Sequence, residues 1–351
     1  MKKLGLLAGL LAVTLAAGSA PSFAAPAYGD FYVDAENGTD STTCGGASLA
    51  LPSLGPCATL NQALANASAG NTIVVVKGGT FGPIYLSGSI SIVGPADKSL
   101  VIVADGTVNA GCIHTSCSIG TSSGVYIQAA VTDTIQLKNM VVSAGTGATN
   151  AISIVSAFNV SLTNVALRGG PSTQTTAILD VEPTANLQLY LHNCDVGFTS
   201  TMAGVLVKPQ GSSIASVNIN NGEVHNVKAG VQIDATATTG SIIMAVDNTE
   251  FFSFNNSAVS VVGTSTGAAH ATLARSTLLN SGGAALKING ANAFASVDQN
   301  LITGNAVGVN IVGGAAVTTS GNNTISGNGT NCEVSSAPTA CSSALISTPQ
   351  N

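Results

Sequence analysis

One short frame recurs along the chain and sets narrow limits on its fold. In Val160-Ser161-Leu162-Thr163-Asn164-Val165-Ala166-Leu167, apolar residues alternate, a spacer and an asparagine follow, and an apolar residue returns three places later. The same frame runs from Ile135 through Asn139 to Val142, from Leu189 through Asn193 to Val196, from Val217 to Val224 and from Met244 to Phe251. Looser copies cover Ala271 to Leu278 and Ala295 to Ile302, and a final one ends at Ile325. The asparagine slot is therefore Asn139, Asn164, Asn193, Asn221, Asn248, Arg275, Gln299 and Asn322, at spacings of 25, 29, 28, 27, 27, 24 and 23 residues. A period of this size means stacked structural repeats.

A second column precedes the first. Apolar-polar-apolar triplets stand at Val125–Ile127, Ile152–Ile154, Leu179–Val181 and Val205–Val207, then at Val231–Ile233, Val259–Val261, Leu286–Ile288 and Val309–Ile311. Each repeat thus holds at least two strands of period-2 alternation, joined by turns of Gly, Asn, Ser and Thr. Leucine-rich repeats share the asparagine column, but they need a Leu-rich helical segment that these β-branched runs lack. Stacked rungs bring equivalent side chains to about 4.8 Å, so the asparagines predict an amide ladder serving the turns.

The ends read differently. Lys2 and Lys3, the apolar run Leu4–Ala17 and the small residues up to Ala24 predict a signal peptide over 1–24. Residues 25–70 are expected to form an N-terminal cap, 71–331 the repeat body, and 332–351 a C-terminal cap loop and tail. Thr59 with Gln62 is a capping-box pattern, and Leu60, Ala63, Leu64 and Ala67 give one apolar face of a short helix covering the first rung. No segment after the leader is a candidate transmembrane anchor. Export permits disulfides, and sequence proximity suggests Cys44–Cys57, Cys112–Cys117 and Cys332–Cys341, with Cys194 a free thiol in an apolar strand. Six cysteines still allow fifteen connectivities, as four allow three. His114 sits within the second cysteine loop, which in an exported chain reads as a disulfide more readily than as a metal loop.

The stretch from Asn37-Gly38-Thr39-Asp40 through Pro56-Cys57-Ala58-Thr59-Leu60 and Ala63-Leu64 to Ala69-Gly70-Asn71-Thr72-Ile73-Val74-Val75-Val76-Lys77-Gly78-Gly79-Thr80-Phe81 resembles the entry of secreted right-handed parallel β-helix proteins of the pectate-lyase-like superfamily. The motif detail spans residues 31–93, and the repeat carries it to about 330. The expected fold is all-β, a right-handed parallel β-helix of about ten rungs with a short N-terminal capping helix. The resemblance implies a secreted or periplasmic protein in contact with a polysaccharide or the cell envelope. An enzyme of this kind would be a polysaccharide lyase or glycoside hydrolase, yet no catalytic motif of pectate lyases or polygalacturonases transfers residue by residue.

Charge is scarce, so its placement matters. Without Lys2 and Lys3, eight basic residues face sixteen acidic ones, a net charge of −8 that excludes a basic nucleic-acid footprint. Two places after the slot, Asp195, Glu223 and Glu250 put an acid on three successive rungs. One place before it, His192 and Asp247 add polar groups. We expect Asp195, Glu223 and Glu250 as candidate catalytic acids, His192 and Asp247 as binding residues, and Asp195 with Glu223 as ligands for a cation such as calcium. Neighbouring rungs approach the roughly 5–5.5 Å carboxylate separation of retaining glycosidases. The plain alternative is solvated acids that keep a non-catalytic surface or adhesion protein soluble. Arg168, Arg275, His225 and His270 fall in no catalytic signature, Trp is absent, and alternation assigns Phe251, Phe252 and Phe254 to core plus edge.

Overall fold

The computed structural model describes residues 30–46, 55–104, 110–112, 116–117, 123–145, 147–170, 177–198, 201–335, 337–339 and 346–347. The expected signal peptide, His114 and Cys341 lie outside these residues, as do the side chains of Cys112 and Cys117. The chain winds into an all-β parallel solenoid of about eight turns with a single short helix. Ten rungs were expected; eight is the number of rungs that carry the slot, from Asn139 to Asn322. Earlier strands such as Gly79–Phe81 and Ile84–Leu86 are short and broken by glycine.

Two sheets run the length of the solenoid. One collects the triplets: Ile152 pairs with Val125 and Leu179, and the series continues through Val205, Val231, Val259, Leu286 and Val309 to Cys332. The other collects the asparagine frames, in register from Ile135–Val160 and Val160–Leu189 to Ala271–Ala295. Parallel sheets in most proteins are covered on both faces and read as unbroken apolar runs. Here one face of each strand meets solvent, which is why the sequence alternates. The inward set, including Ile135, Leu137, Val160, Leu162, Ile152, Ile154, Val231 and Ile233, is fully buried, and each such side chain contributes about 1.5–3 kcal/mol.

The asparagine slot is where each strand of the second sheet bends. Asn139, Asn164, Asn193, Asn221, Asn248, Arg275 and Gln299 all have φ between +46° and +56°. Asparagine tolerates this left-handed conformation better than other side chains. Its amide then joins the rungs: Asn164 Nδ2 donates to Asn139 Oδ1 at 2.9 Å, Asn193 to Asn164 at 3.1 Å and Asn248 to Asn221 at 2.6 Å. In the last rung Gly321 takes the positive φ of 87°. One place beyond the slot, the inward column changes character along the axis. Met140, Val165 and Cys194 give way to Thr249, Ser276, Asn300 and Asn323, and the amide of Asn300 donates to the carbonyl of Leu273 while its Oδ1 accepts from Ser276 N.

At the N-terminal end, Asp30–Asp34 pairs in parallel with Thr72–Lys77. Asp34 Oδ1 accepts from the backbone of Glu36 and Asn37, and Gly38 packs so closely on Cys57 that a Cβ would lie 2.4 Å from its carbonyl oxygen. Thr59 caps the helix Leu60–Asn66 by accepting from Gln62 N, and Asp40 in turn accepts from Thr59. The Gln62 side chain bonds Asn66 instead of returning to Thr59, so only half of the capping box forms. Leu60, Ala63, Leu64 and Ala67 are fully buried. The Cys44–Cys57 disulfide ties the cap together. Cys332 is disulfide-bonded, and Cys194 is a buried free thiol whose pKa is pushed up to about 11 by burial. Thr330–Val334 and Ala337–Thr339 form an antiparallel hairpin over the last rung, and Ile346–Ser347 pairs with Thr318–Thr319.

The ladder predicts a graded response at Asn164, which both donates and accepts. Asn164→Ala loses the bonds and, with them, the local hydrogen bonding that lets asparagine tolerate the left-handed bend, for a cost of about 2–3 kcal/mol. Asn164→Gly keeps the bend and costs about 1 kcal/mol. Urea unfolding midpoints of the two variants should fall in that order.

Candidate functional site

The acid column exists as expected. Asp195 pairs in register with Glu223, and Glu223 with Glu250. His192 and Asp247 lie in a different column on the strand before the bend, where the register runs from His192 through Asn220 to Asp247. The polar groups thus form two columns, one on each side of the left-handed bend, because the slot residue turns the chain between them. Asp247 is ion-paired with Arg275 at 2.6 Å and accepts from Asn220 at 3.3 Å, while His192 is exposed.

Asp195 is drawn into a cluster. Arg168, on the preceding rung, bonds its carboxylate and donates from Nη1 to its backbone oxygen at 3.1 Å. His225, on the following rung, lies 2.9 Å from the other carboxylate oxygen through Nε2, and 3.7 Å from Glu223. Asn226 Nδ2 donates to His225 Nδ1 at 2.9 Å, which leaves the ring proton on Nε2, directed at Asp195. The imidazole is sandwiched: Phe252 stacks on it at 4.9 Å and Phe198 meets it edge-on at 4.9 Å. The Arg168 guanidinium stands 4.6 Å from the centre of the Phe198 ring.

Gly197 makes this possible. Arg168, Gly197, His225 and Phe252 are direct register partners on four successive rungs. A Cβ at Gly197 would sit 2.7 Å from His225 Cε1, so only glycine lets the ring lean across to Asp195. The same column is visible in sequence two places after each acid, since period-2 alternation keeps it on the same face. Isolated Arg and His residues in a repeat nevertheless read by default as surface groups, and the pairing emerges only once the register is known.

Burial pushes the Asp195 carboxyl up, but the hydrogen bonds from Arg168 and His225 and the charge of Arg168 outweigh that and hold it below the usual carboxylate range. It is therefore an ion-paired base and a poor proton donor at neutral pH. Glu223 is half-exposed and Glu250 exposed. The Arg168 guanidinium and the Nε2–H of His225 already occupy the Asp195 carboxylate, so the expected calcium pair of Asp195 with Glu223 gains no support from the electrostatics. Among the described residues, the metal-like grouping Asp40, Cys44 and Cys57 contains the disulfide, and Asp40 is occupied in capping.

On the triplet sheet, Asp180 behaves oppositely. Burial, reinforced by the charge of Glu182, raises it to about 6, with Lys208 and Asn150 offsetting part of the rise. Its Oδ1 is buried without a hydrogen-bond partner among the described residues.

No family model matches the chain, and no curated protein matches it. Among solved structures it is similar to the crystal structure of pectate lyase Pel9A, with a TM-score of 0.55 and 13% identity, over 89% of this chain and 82% of that one. The likeness shows the pectate-lyase-like β-helix fold.

Two aspartates should have opposite pH signatures. Asp195, lowered in the folded state, adds stability above its unfolded pKa near 4, and that stability is lost as pH falls through the folded value. Asp195→Asn should therefore cost about 1–2 kcal/mol at pH 7, allowing for partial exposure, and progressively less as pH falls below about 4. Asp180, raised in the folded state, penalises folding increasingly as pH rises from about 4 to 6. Asp180→Asn should stabilise by on the order of 2 kcal/mol at pH 7 and by nothing near pH 3. Thermal midpoints across that range measure both.

Proposed function

We propose that this chain binds an extracellular polysaccharide along the face that follows the left-handed bend. The observation that carries the reading is the clustering of Arg168, Asp195, Glu223, His225 and Phe252 on four successive rungs, in a chain of which only 7% is charged. Hydroxyl-rich polymers are recognised by such mixtures of ring faces and hydrogen-bonding groups on a rigid surface. In this reading Glu223 and Glu250 accept hydrogen bonds from the polymer. Asp195 is a positioning residue that orders Arg168 and His225. His192 and Asp247 extend the contact across the bend.

The same fold carries pectate lyase Pel9A, which is an argument for a glycan partner and not for any one reaction. The ion-paired state of Asp195 favours binding over proton-transfer catalysis. In a cleaving form of the reading, Glu223 and Glu250 are the acids left to act, and the same two would hold calcium. A secreted or periplasmic location suits the reading, since the Cys44–Cys57 disulfide belongs to an oxidising compartment. No helix among the described residues is long and apolar enough to cross a membrane.

The test is a panel of uronate and neutral polysaccharides, with and without calcium, followed by affinity electrophoresis and by assay of released products. Binding to at least one polymer is expected, weakened about tenfold or more in Glu223→Gln with Glu250→Gln, the loss of two charged hydrogen-bond acceptors. Product release that disappears in the double variant assigns cleavage to the pair. Absence of binding to every polymer overturns the reading and leaves the alternative, a non-catalytic structural or adhesion protein.

A further inference from the structure

A second series of left-handed residues runs along the solenoid, five places after the slot. Asn226, Ser253, Asn280, Gly304 and Gly327 have φ of 50°, 63°, 54°, 71° and 68°. All are residues that suit a tight bend or are small. The series begins with Phe198, whose φ is 72°. A bulky aromatic in this conformation is an outlier, and such outliers persist where surrounding contacts hold them and cluster at functional positions.

The contacts that hold Phe198 are those of the site. Its ring meets the His225 imidazole and lies under the Arg168 guanidinium, yet the residue remains 56% exposed. One rung on, Asn226 begins the lining of a groove of about 350 Å³ that Val227, Ser253, Phe254, Asn255 and Asn280 complete. Asn226 links the two, since its amide also bonds His225. The groove is walled by amides, a hydroxyl and apolar surface, and none of these side chains is ionic.

Charge then narrows the partner. Both arginines of the face are bound to the chain's own carboxylates, Arg168 to Asp195 and Arg275 to Asp247. A uronate carboxylate would have to displace one of them. It would also approach Glu223 and Glu250, which outnumber the exposed Lys228 beyond the groove, and like charges at rung spacing repel by about 1 kcal/mol even in water. A neutral sugar meets no such cost, and its C–H face suits the open surface of Phe198.

We infer that Phe198 is an aromatic platform for a neutral polysaccharide, with the adjacent amide-lined groove taking the hydroxyls of the next sugar. The inference rests on the reading that this face binds a polysaccharide, and it names the class. Titration calorimetry with neutral glycans (β-glucan, xylan, mannan, galactan) and with polygalacturonate and alginate, each with and without calcium, separates the possibilities. At least one neutral polymer should bind, and no uronate polymer should bind more tightly. Phe198→Ala should weaken binding about tenfold or more, Phe198→Tyr only slightly, with circular dichroism unchanged in both. Tighter binding of a uronate polymer, or full affinity in Phe198→Ala, overturns the platform while leaving polysaccharide binding intact. Failure of every polymer to bind overturns both.

Discussion

The whole molecule depends on register between parallel strands. Each rung hydrogen-bonds to the next, so every residue acquires one partner above and one below, and a column of like residues becomes a continuous physical object. A core column becomes a seam of Val, Ile and Leu. The slot becomes an amide ladder at a left-handed bend, and the acids become a charged edge. A shift of one residue would exchange the buried and exposed sets of a strand, so the apolar alternation and the bend together hold all columns in place. The bend contributes a constraint that apolar alternation cannot supply, because it singles out one residue per turn.

The same rule explains how the candidate site arises without a dedicated loop or domain. Arg168, Gly197, His225 and Phe252 belong to four rungs and lie far apart in the chain, yet they are consecutive in one column. Interactions run along the solenoid axis: the arginine reaches forward to Asp195, the histidine reaches back to it, and the absent side chain at Gly197 leaves room for the imidazole. Phe198 and Phe252 then cover the imidazole, which is buried. Partial burial with two donors keeps the carboxylate charged, where burial alone would have favoured the acid. Asp180 shows that contrast within one protein.

Much of the fold was legible because periodicity writes it into the chain twice, in the triplets and in the asparagine frames. The helix face of Leu60, Ala63 and Leu64 was legible for a similar reason, since spacing alone identifies it. The acid column at Asp195, Glu223 and Glu250 could be read once the slot was aligned. How that column lies relative to His192 and Asp247 could not, because alignment says which residues share a column but not the angle the backbone turns between columns. The pairing of Arg168 and His225 with Asp195 was hidden by side-chain reach across rungs, which depends on a gap at Gly197. The left-handed conformation of Phe198 was hidden because its residue type argues against it, and only its place in the column of Asn226, Ser253, Asn280, Gly304 and Gly327 points to it.

The inward column beyond the slot also bears on how such a chain could grow or shrink. Where it reads Met140, Val165 and Cys194, a rung presents only apolar bulk to its neighbours, and one such rung is interchangeable with another of similar volume. Where it reads Thr249, Ser276, Asn300 and Asn323, each rung offers a donor or acceptor that the adjacent rung must answer. In this column, duplication or loss of a whole turn therefore has no polar consequence in the first part of the solenoid. In the last part it strands an amide or a backbone N–H in the core unless the new neighbour carries the matching group. The two ends of one repetitive architecture thus differ in how freely they accept changes in length.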